Sequence, residues 1–351
     1  MEEKLFELLQ VSLGTRNKLS RVLNSEEWIA LLNESKRQAI SGVMQDGLER
    51  LPSEQRPEKK VLFKWIGLAQ VTEATNELHQ KRARELTNIF LAAGFHSCVL
   101  KGVGMAILYP HPLRRKCGDI DLWVSGRRKD VMKWLRTKYK IGEVRWHHAD
   151  AQIFDDVQTE IHFHATWLFN PIHNRRLQRY FDNEKQELMK ERNRESHELG
   201  YNYPTGEFNA VYSLVHSFHH LLECGIGFRH VVDYFYIVSN MTVKERKRAV
   251  EVIKQIGLYQ FLGAMMFVLK EACGMASEKL LCPPDDVEGE FLLSEIEAAG
   301  NFGFERVGED LPTNSFLRLR TMAKHYPSEM LWMMPWKIWH WLWRLGHRKW
   351  S

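Results

Sequence analysis

Apolar positions along the chain recur first at helical spacing, then at strand spacing, then at helical spacing again. Up to residue 92 the period is helical. Trp28, Ile29, Leu31 and Leu32 follow Asn24-Ser25-Glu26-Glu27, a capped helix start with acids in its first turn. Residues 52–60, with two prolines and several charges, read as a linker. Leu68, Val71, Leu78, Leu86 and Ile89 then mark a long amphipathic helix, mostly charged over 77–85 and suited to end at Gly94.

Beyond Gly94 the runs shorten. Residues 97–100 predict a buried strand that enters Lys101-Gly102-Val103-Gly104-Met105 and a helix over 104–109, stopped by Pro110-His111-Pro112. Cys117-Gly118-Asp119-Ile120-Asp121-Leu122-Trp123-Val124 is an apolar, β-prone run. It is followed by a helix over 127–139 with Val131, Trp134 and Leu135 inward, and by strands over 143–147, 151–154 and 158–163. Residues 165–200 are strongly charged and helical in pattern, with Pro171 as a break. From Pro204 the apolar period is helical to the end, apart from loops over 282–286 and 301–312.

Composition narrows the classes. A chain of 351 residues holds two or three domains with real cores. The 49 Lys and Arg nearly balance the 44 Asp and Glu, which argues against a dedicated nucleic-acid coat or acidic binder. Cys98, Cys117, Cys224, Cys273 and Cys282 are scattered, with no Cys-x-x-Cys pair, so neither a zinc nor a disulfide framework is expected. Met1-Glu2-Glu3-Lys4 lacks the marks of a signal peptide, and the longest apolar run, 261–269, is too short to cross a bilayer. The expected location is the cytoplasm.

The candidate chemistry begins with Asp119 and Asp121. On a strand, residues two apart share a face, so the two carboxylates sit side by side and repel. A fold accepts that where both face water at a strand end, or where a divalent cation with oxygen ligands sits between them. Gly102 and Gly104 form either an ordinary turn or a strand–turn–helix that brings backbone close to a phosphate. Arg114, Arg115 and Lys116 are either a solvated loop or a clamp on a polyphosphate that the metal also touches. Glu160 shares a strand face with His162 and is the one well-placed third ligand after the acidic pair.

Further along, His216, His220 and Glu223 share one helix face. They read as a transition-metal site of a hydrolase or, preferably, as a packed histidine-rich helix. Arg229 and Asp233 are spaced for an intrahelical ion pair or for contact with a nucleotide. Trp332, Trp336, Trp339, Trp341, Trp343 and Trp350 are mixed with Lys337, Arg344, Arg348 and Lys349. That helix either docks on the protein, binds a partner or lies on a membrane surface, and Pro335 with the lack of a clean polar face favours docking.

Taken in order, Lys101-Gly102, Tyr109-Pro110, Arg115, Gly118-Asp119-Ile120-Asp121-Leu122 and Glu160-Ile161-His162 resemble the uncharacterised nucleotidyltransferase family of the DNA-polymerase-β-like superfamily. Residues 223–233, Glu-Cys-Gly-Ile-Gly-Phe-Arg-His-Val-Val-Asp, are similar to the Gly-x-Gly-Leu-Arg-x-x-x-Asp helix that follows that family's catalytic core. The resemblance spans about residues 95 to 240. It implies an α+β fold, with a small mixed sheet flanked by helices over 93–170. An N-terminal helical region over 1–92 precedes it, and a C-terminal helical domain over 171–351 ends on the Trp-rich helix.

The resemblance also implies a chemistry. Asp119 and Asp121 hold two Mg²⁺ ions, with Mn²⁺ as the alternative, around a nucleoside triphosphate, and Glu160 completes the site. Lys101, Arg114 and Arg115 meet the phosphates, Gly102 and Gly104 let the backbone approach, and His162 tunes Glu160 or touches the acceptor. Arg229 and Asp233 stand behind these groups. The implied reaction moves a nucleoside monophosphate to a small molecule, a sugar phosphate, a protein hydroxyl or an RNA end, and the charge balance disfavours a long nucleic acid. Three departures bear on turnover: Gly102-Val103-Gly104 replaces the usual Gly-Gly or Gly-Ser pair, the spacing to Asp119 is long, and the third acid is Glu. They leave open a catalytically silent nucleotide-binding protein that works through its Trp-rich tail.

Overall fold

The computed structural model of the chain describes residues 2–189, 198–301 and 315–346. Four helices open it: α1 Glu2–Leu13, α2 Ser25–Arg37, α3 Ser41–Arg50 and α4 Lys59–Ala92. The start of α2 is a capping box, in which the Asn24 side chain accepts from the Glu27 N–H and the Glu27 carboxylate accepts from the Asn24 N–H. Within the expected linker the chain makes a 3₁₀ turn, Ser53–Gln55, before entering α4. That helix runs 34 residues and ends as Gly94 takes φ +83°. Its buried stripe differs from the expected one. Val71 faces solvent, while Asn76 and His79 are buried beside Ala83, Leu86 and Phe90. Periodicity cannot find this, because the two polar residues go inside to hold backbone carbonyls of a loop.

Next come β1 Ser97–Val99, α5 Val103–Ala106, β2 Ile120–Val124, α6 Arg128–Lys138, β3 Lys140–Val144, β4 His148–Gln152 and β5 Thr159–His162. The strands form one sheet in the order β1-β2-β5-β4-β3, with β2 and β5 parallel and the other neighbours antiparallel. Strands β3 and β4 lie about three residues earlier than expected. The hairpin turns at 145–147, and a register shift between Ile141 and Val144 masks the alternation that would have revealed it. One face of the sheet, with Ile120, Leu122, Val124 and Ile161, packs on Leu86 and Phe90 of α4 and on Val131 and Leu135 of α6. Each such fully buried side chain contributes about 2 kcal/mol. The opposite face carries Asp121, Glu160, His162 and His148. Asp121 and Glu160 are register partners across β2 and β5, and His148 and His162 across β4 and β5.

The remaining helices are α7 Pro171–Leu188, α8 Gly206–Glu223, α9 Phe228–Asn240, α10 Val243–Gln255, α11 Tyr259–Glu271, α12 Asp286–Ala299, α13 Ser315–His325 and α14 Pro327–Gly346. They share one hydrophobic core with α1, α2 and α3. Phe6 meets Phe228 edge-on at 5.6 Å, and the Gln38 amide accepts from the Phe228 N–H and donates to the Ile296 carbonyl. Helix α8 seats on the polar face of the sheet, where Phe208 packs on Trp123. The architecture is therefore α+β, a small mixed sheet among helices, as the sequence implied.

Helix α14 docks by one side only. Met330 and Met333 are buried and Trp336 stacks on Trp167, whereas Leu331, Trp332, Ile338, Trp339, Trp341 and Leu342 are exposed. Trp350 and the expected loop over 302–312 lie outside the described residues. Among the described residues no helix is long and apolar enough to cross a membrane.

Candidate active site

Asp119 sits at the entry to β2, Asp121 within it and Glu160 beside it on β5. Each offers one carboxylate oxygen within 4.8 Å of the others. Asp121 is buried, and its Oδ1 contacts the Lys101 ammonium at 2.8 Å and the His162 Nε2 at 2.9 Å. Its Oδ2 is equally buried and has no hydrogen-bond partner. His162 Nε2 also lies 3.2 Å from Glu160.

The charges divide unevenly. The charge of Asp121, together with burial, pushes the Asp119 carboxyl up to about 6. Against the desolvation of burial, Lys101 and His162 hold Asp121 well below the usual carboxylate range. Burial opposes the charged form of His162, yet its bonds to Asp121 and Glu160 raise it to about 9. Glu160 is half-buried, and against that desolvation the His162 hydrogen bond holds it below its ordinary value. A buried, unpartnered carboxylate oxygen between two further acids, one pushed up by repulsion, is a donor set that fits a hard divalent cation.

The loop before β2 is held from behind. The Asn76 amide donates to the carbonyls of Leu113 and Arg115 at 2.5 and 2.6 Å. His79 Nε2 lies 2.6 Å from the Gly118 carbonyl oxygen. Gly42 of α3 packs so closely that a Cβ there would stand 2.1 Å from the Arg114 carbonyl oxygen. Sequence reasoning missed Asn76 and His79. Their only signal is two polar residues three apart on the inward stripe of an amphipathic helix. The glycines of the turn have separate reasons. Gly102 takes φ +55° and lines the cavity, where a Cβ would stand 3.3 Å from the Asp119 carbonyl oxygen. Gly104 lies outside the cavity lining, and a Cβ there would stand 2.3 Å from the Val99 carbonyl oxygen, so its smallness seats α5 against β1.

Above the carboxylates is a cavity of about 260 Å³. Lys101, Asp119, Glu160 and His162 form its floor, Arg145, His147 and His148 one wall, and Tyr212, His216, His220, Arg229 and His230 the roof. Arg145 was not foreseen. Arg115 borders the cavity but is buried and forks onto Asp233, Nε to Oδ1 at 2.7 Å and Nη2 to Oδ2 at 2.8 Å, while Tyr109 donates to the same carboxylate. Asp233 therefore takes Arg115, 118 positions away, while Arg229, one helical turn before it, lines the same cavity and feels its charge. Arg114 points elsewhere. Asp46, Glu49 and Glu73 of α3 and α4 claim its guanidinium outside the cavity.

The alternative histidine site does not assemble. His216 and His220 bring their Nε2 atoms to 3.2 Å, but Glu223 is exposed beside Lys337. Among the described residues, the groups whose ligand atoms converge are Asp119, Asp121 and Glu160, and His148, Glu160 and His162.

A family model described as an uncharacterised nucleotidyltransferase matches residues 24–274. The chain belongs to that family. The match opens at the cap of α2 and closes just after α11. The nucleotidyltransferase unit thus takes in the helices that brace the loop and roof the cavity, well beyond the span of 95 to 240 that the motifs carry. No curated protein matches the chain. Membership supports transferase chemistry on a nucleotide, and the acidic groups could hold a metal ion.

Proposed function

We propose that the protein is a Mg²⁺-dependent nucleotidyltransferase that moves a nucleoside monophosphate from an NTP to a hydroxyl or phosphate acceptor. The acceptor is a small molecule, a sugar phosphate or a protein. The observation that carries this reading is the buried Oδ2 of Asp121, unpartnered and flanked by Asp119 and Glu160. These three residues would hold a pair of Mg²⁺ ions, with Mn²⁺ able to substitute. When bound, the ions polarise the acceptor oxygen and neutralise charge on the triphosphate.

The chain's own groups do the positioning. Lys101 and the positive-φ turn at Gly102 bring a cation and bare backbone to the cavity floor, where phosphate oxygens would lie. Arg229 and Arg145 line the same space. Arg115 acts one layer back, by fixing Asp233 and with it α9. His162 Nε2 stands between Asp121 and Glu160 and ties the two acids together. Five cysteines without disulfide bonds support a reducing, cytoplasmic setting. The exposed apolar side of α14 offers a surface to a protein partner or a membrane.

The test is incubation with Mg²⁺ and each α-labelled NTP, following pyrophosphate release and transfer of label to candidate acceptors. Transfer that falls to background in Asp121→Asn is the expected result. A second reading, nucleotide binding without turnover, draws on the Lys101–Asp121 ion pair, which already offsets the charge of the acid that would hold a cation. Mg²⁺-dependent NTP binding with no pyrophosphate from any acceptor pool would favour it.

A further inference from the structure

Strands β4 and β5 bring His148 and His162 into direct register, and both imidazoles address the same Glu160 oxygen, Oε2. His162 Nε2 stands 3.2 Å from it and His148 Nδ1 3.4 Å. The second nitrogen of each ring faces an oxygen acceptor, His162 Nδ1 the carbonyl of His164 at 3.4 Å and His148 Nε2 a carboxylate oxygen of Asp150 at 3.5 Å. Such outer acceptors hold the proton of the far nitrogen and aim the near nitrogen inward, which is how metal-ligating imidazoles are oriented. His148 is only 4% exposed, and its Nδ1 makes no hydrogen bond. A buried imidazole nitrogen aimed at a carboxylate without bonding it lacks a partner of the opposite character.

We propose that His148, Glu160 and His162 bind a divalent transition-metal ion of the Mn²⁺ or Zn²⁺ kind, at a site distinct from the all-carboxylate one. Two nitrogens and one oxygen suit such ions, whereas Mg²⁺ demands oxygen ligands. The ligand atoms lie within 4.8 Å of one another on two hydrogen-bonded strands, so little chain ordering is needed to close on an ion. Glu160 belongs to both sets, and the two sites share that carboxylate. This binding does not depend on nucleotidyl transfer.

The probe is Mn²⁺ in the presence of excess Mg²⁺, on the untagged full chain, read by electron spin-echo modulation for directly bound imidazole nitrogen. Nitrogen coupling is expected in the wild type and in Asp119→Asn. In His148→Gln it is lost, and Mn²⁺ affinity falls about 10-fold or more. Absence of nitrogen coupling from the wild-type spectrum overturns the site without recourse to any variant. Its persistence in the His148→Gln, His162→Gln double variant overturns it as well. In Asp119→Asn, loss of label transfer with intact nitrogen coupling separates this site from the transferase reading. A wild type that binds Mn²⁺ through nitrogen yet transfers no label supports this site and overturns only the transferase reading.

Discussion

Removing Arg115 takes a two-pronged partner from a buried carboxylate, leaving Asp233 with the Tyr109 hydroxyl and the nearby charge of Arg229. Breaking one side of a buried pair typically costs about 3–5 kcal/mol, so Arg115→Met is expected to lose stability on that scale in urea unfolding. Arg115→Lys recovers only part of it, since an ammonium cannot fork across two oxygens. Arg114→Ala is expected to leave label transfer unchanged, because its guanidinium lies among Asp46, Glu49 and Glu73, outside the cavity. These two arginines mark the limit of what the sequence made legible. Asp119 and Asp121 were readable because strand period puts them on one face, and Glu160 because it shares a strand face with His162 and falls on the family's motif. Which member of an Arg-Arg-Lys triplet turns inward depends on acids at 46, 49, 73 and 233, which no local pattern connects to it. Arg145 is hidden for the same reason, in a turn whose position the register shift disguised.

At the scale of elements, α4 braces the site by its backbone contacts to the loop over 113–118. Asn76→Ala leaves two carbonyls short of a donor and is expected to cost about 1–3 kcal/mol. It should also lower kcat/KM for label transfer about 10–100-fold, the range seen when groups behind metal ligands are removed. A purely structural role would move the stability and leave kcat/KM alone. Gly104→Ala presses a methyl on the Val99 carbonyl and should cost about 1–3 kcal/mol in thermal unfolding. The order of helices, then short strands, then helices was legible, including the capped start of α2 at Asn24. The inward stripe of α4 was not, because Val71 looked like core and the polar pair did not.

Across the whole molecule, acid stability rests on histidines buried neutral. Desolvation pulls His219 down to about 4, with Glu223 and Glu329 countering only in part. Between that value and the ordinary range near 6.5, the unfolded chain binds a proton that the folded one refuses. Stability is therefore whole above pH 6.5 and falls on acidification. For His219 alone the loss is about 2 kcal/mol at pH 5. Melting curves should shift down by several degrees from pH 7.5 to pH 5, and His219→Gln should flatten that dependence. The same buried layer joins distant parts of the chain, since α1, α2 and α3 share their core with the C-terminal helices. The Arg115–Asp233 fork likewise closes a span of 118 residues. Contacts between positions so far apart form late, after local helices and hairpins have settled. In a refolding experiment, helical signal should therefore return well before Mg²⁺-dependent activity. Time, more than temperature, then divides a chain that has its secondary structure from one whose cavity is assembled.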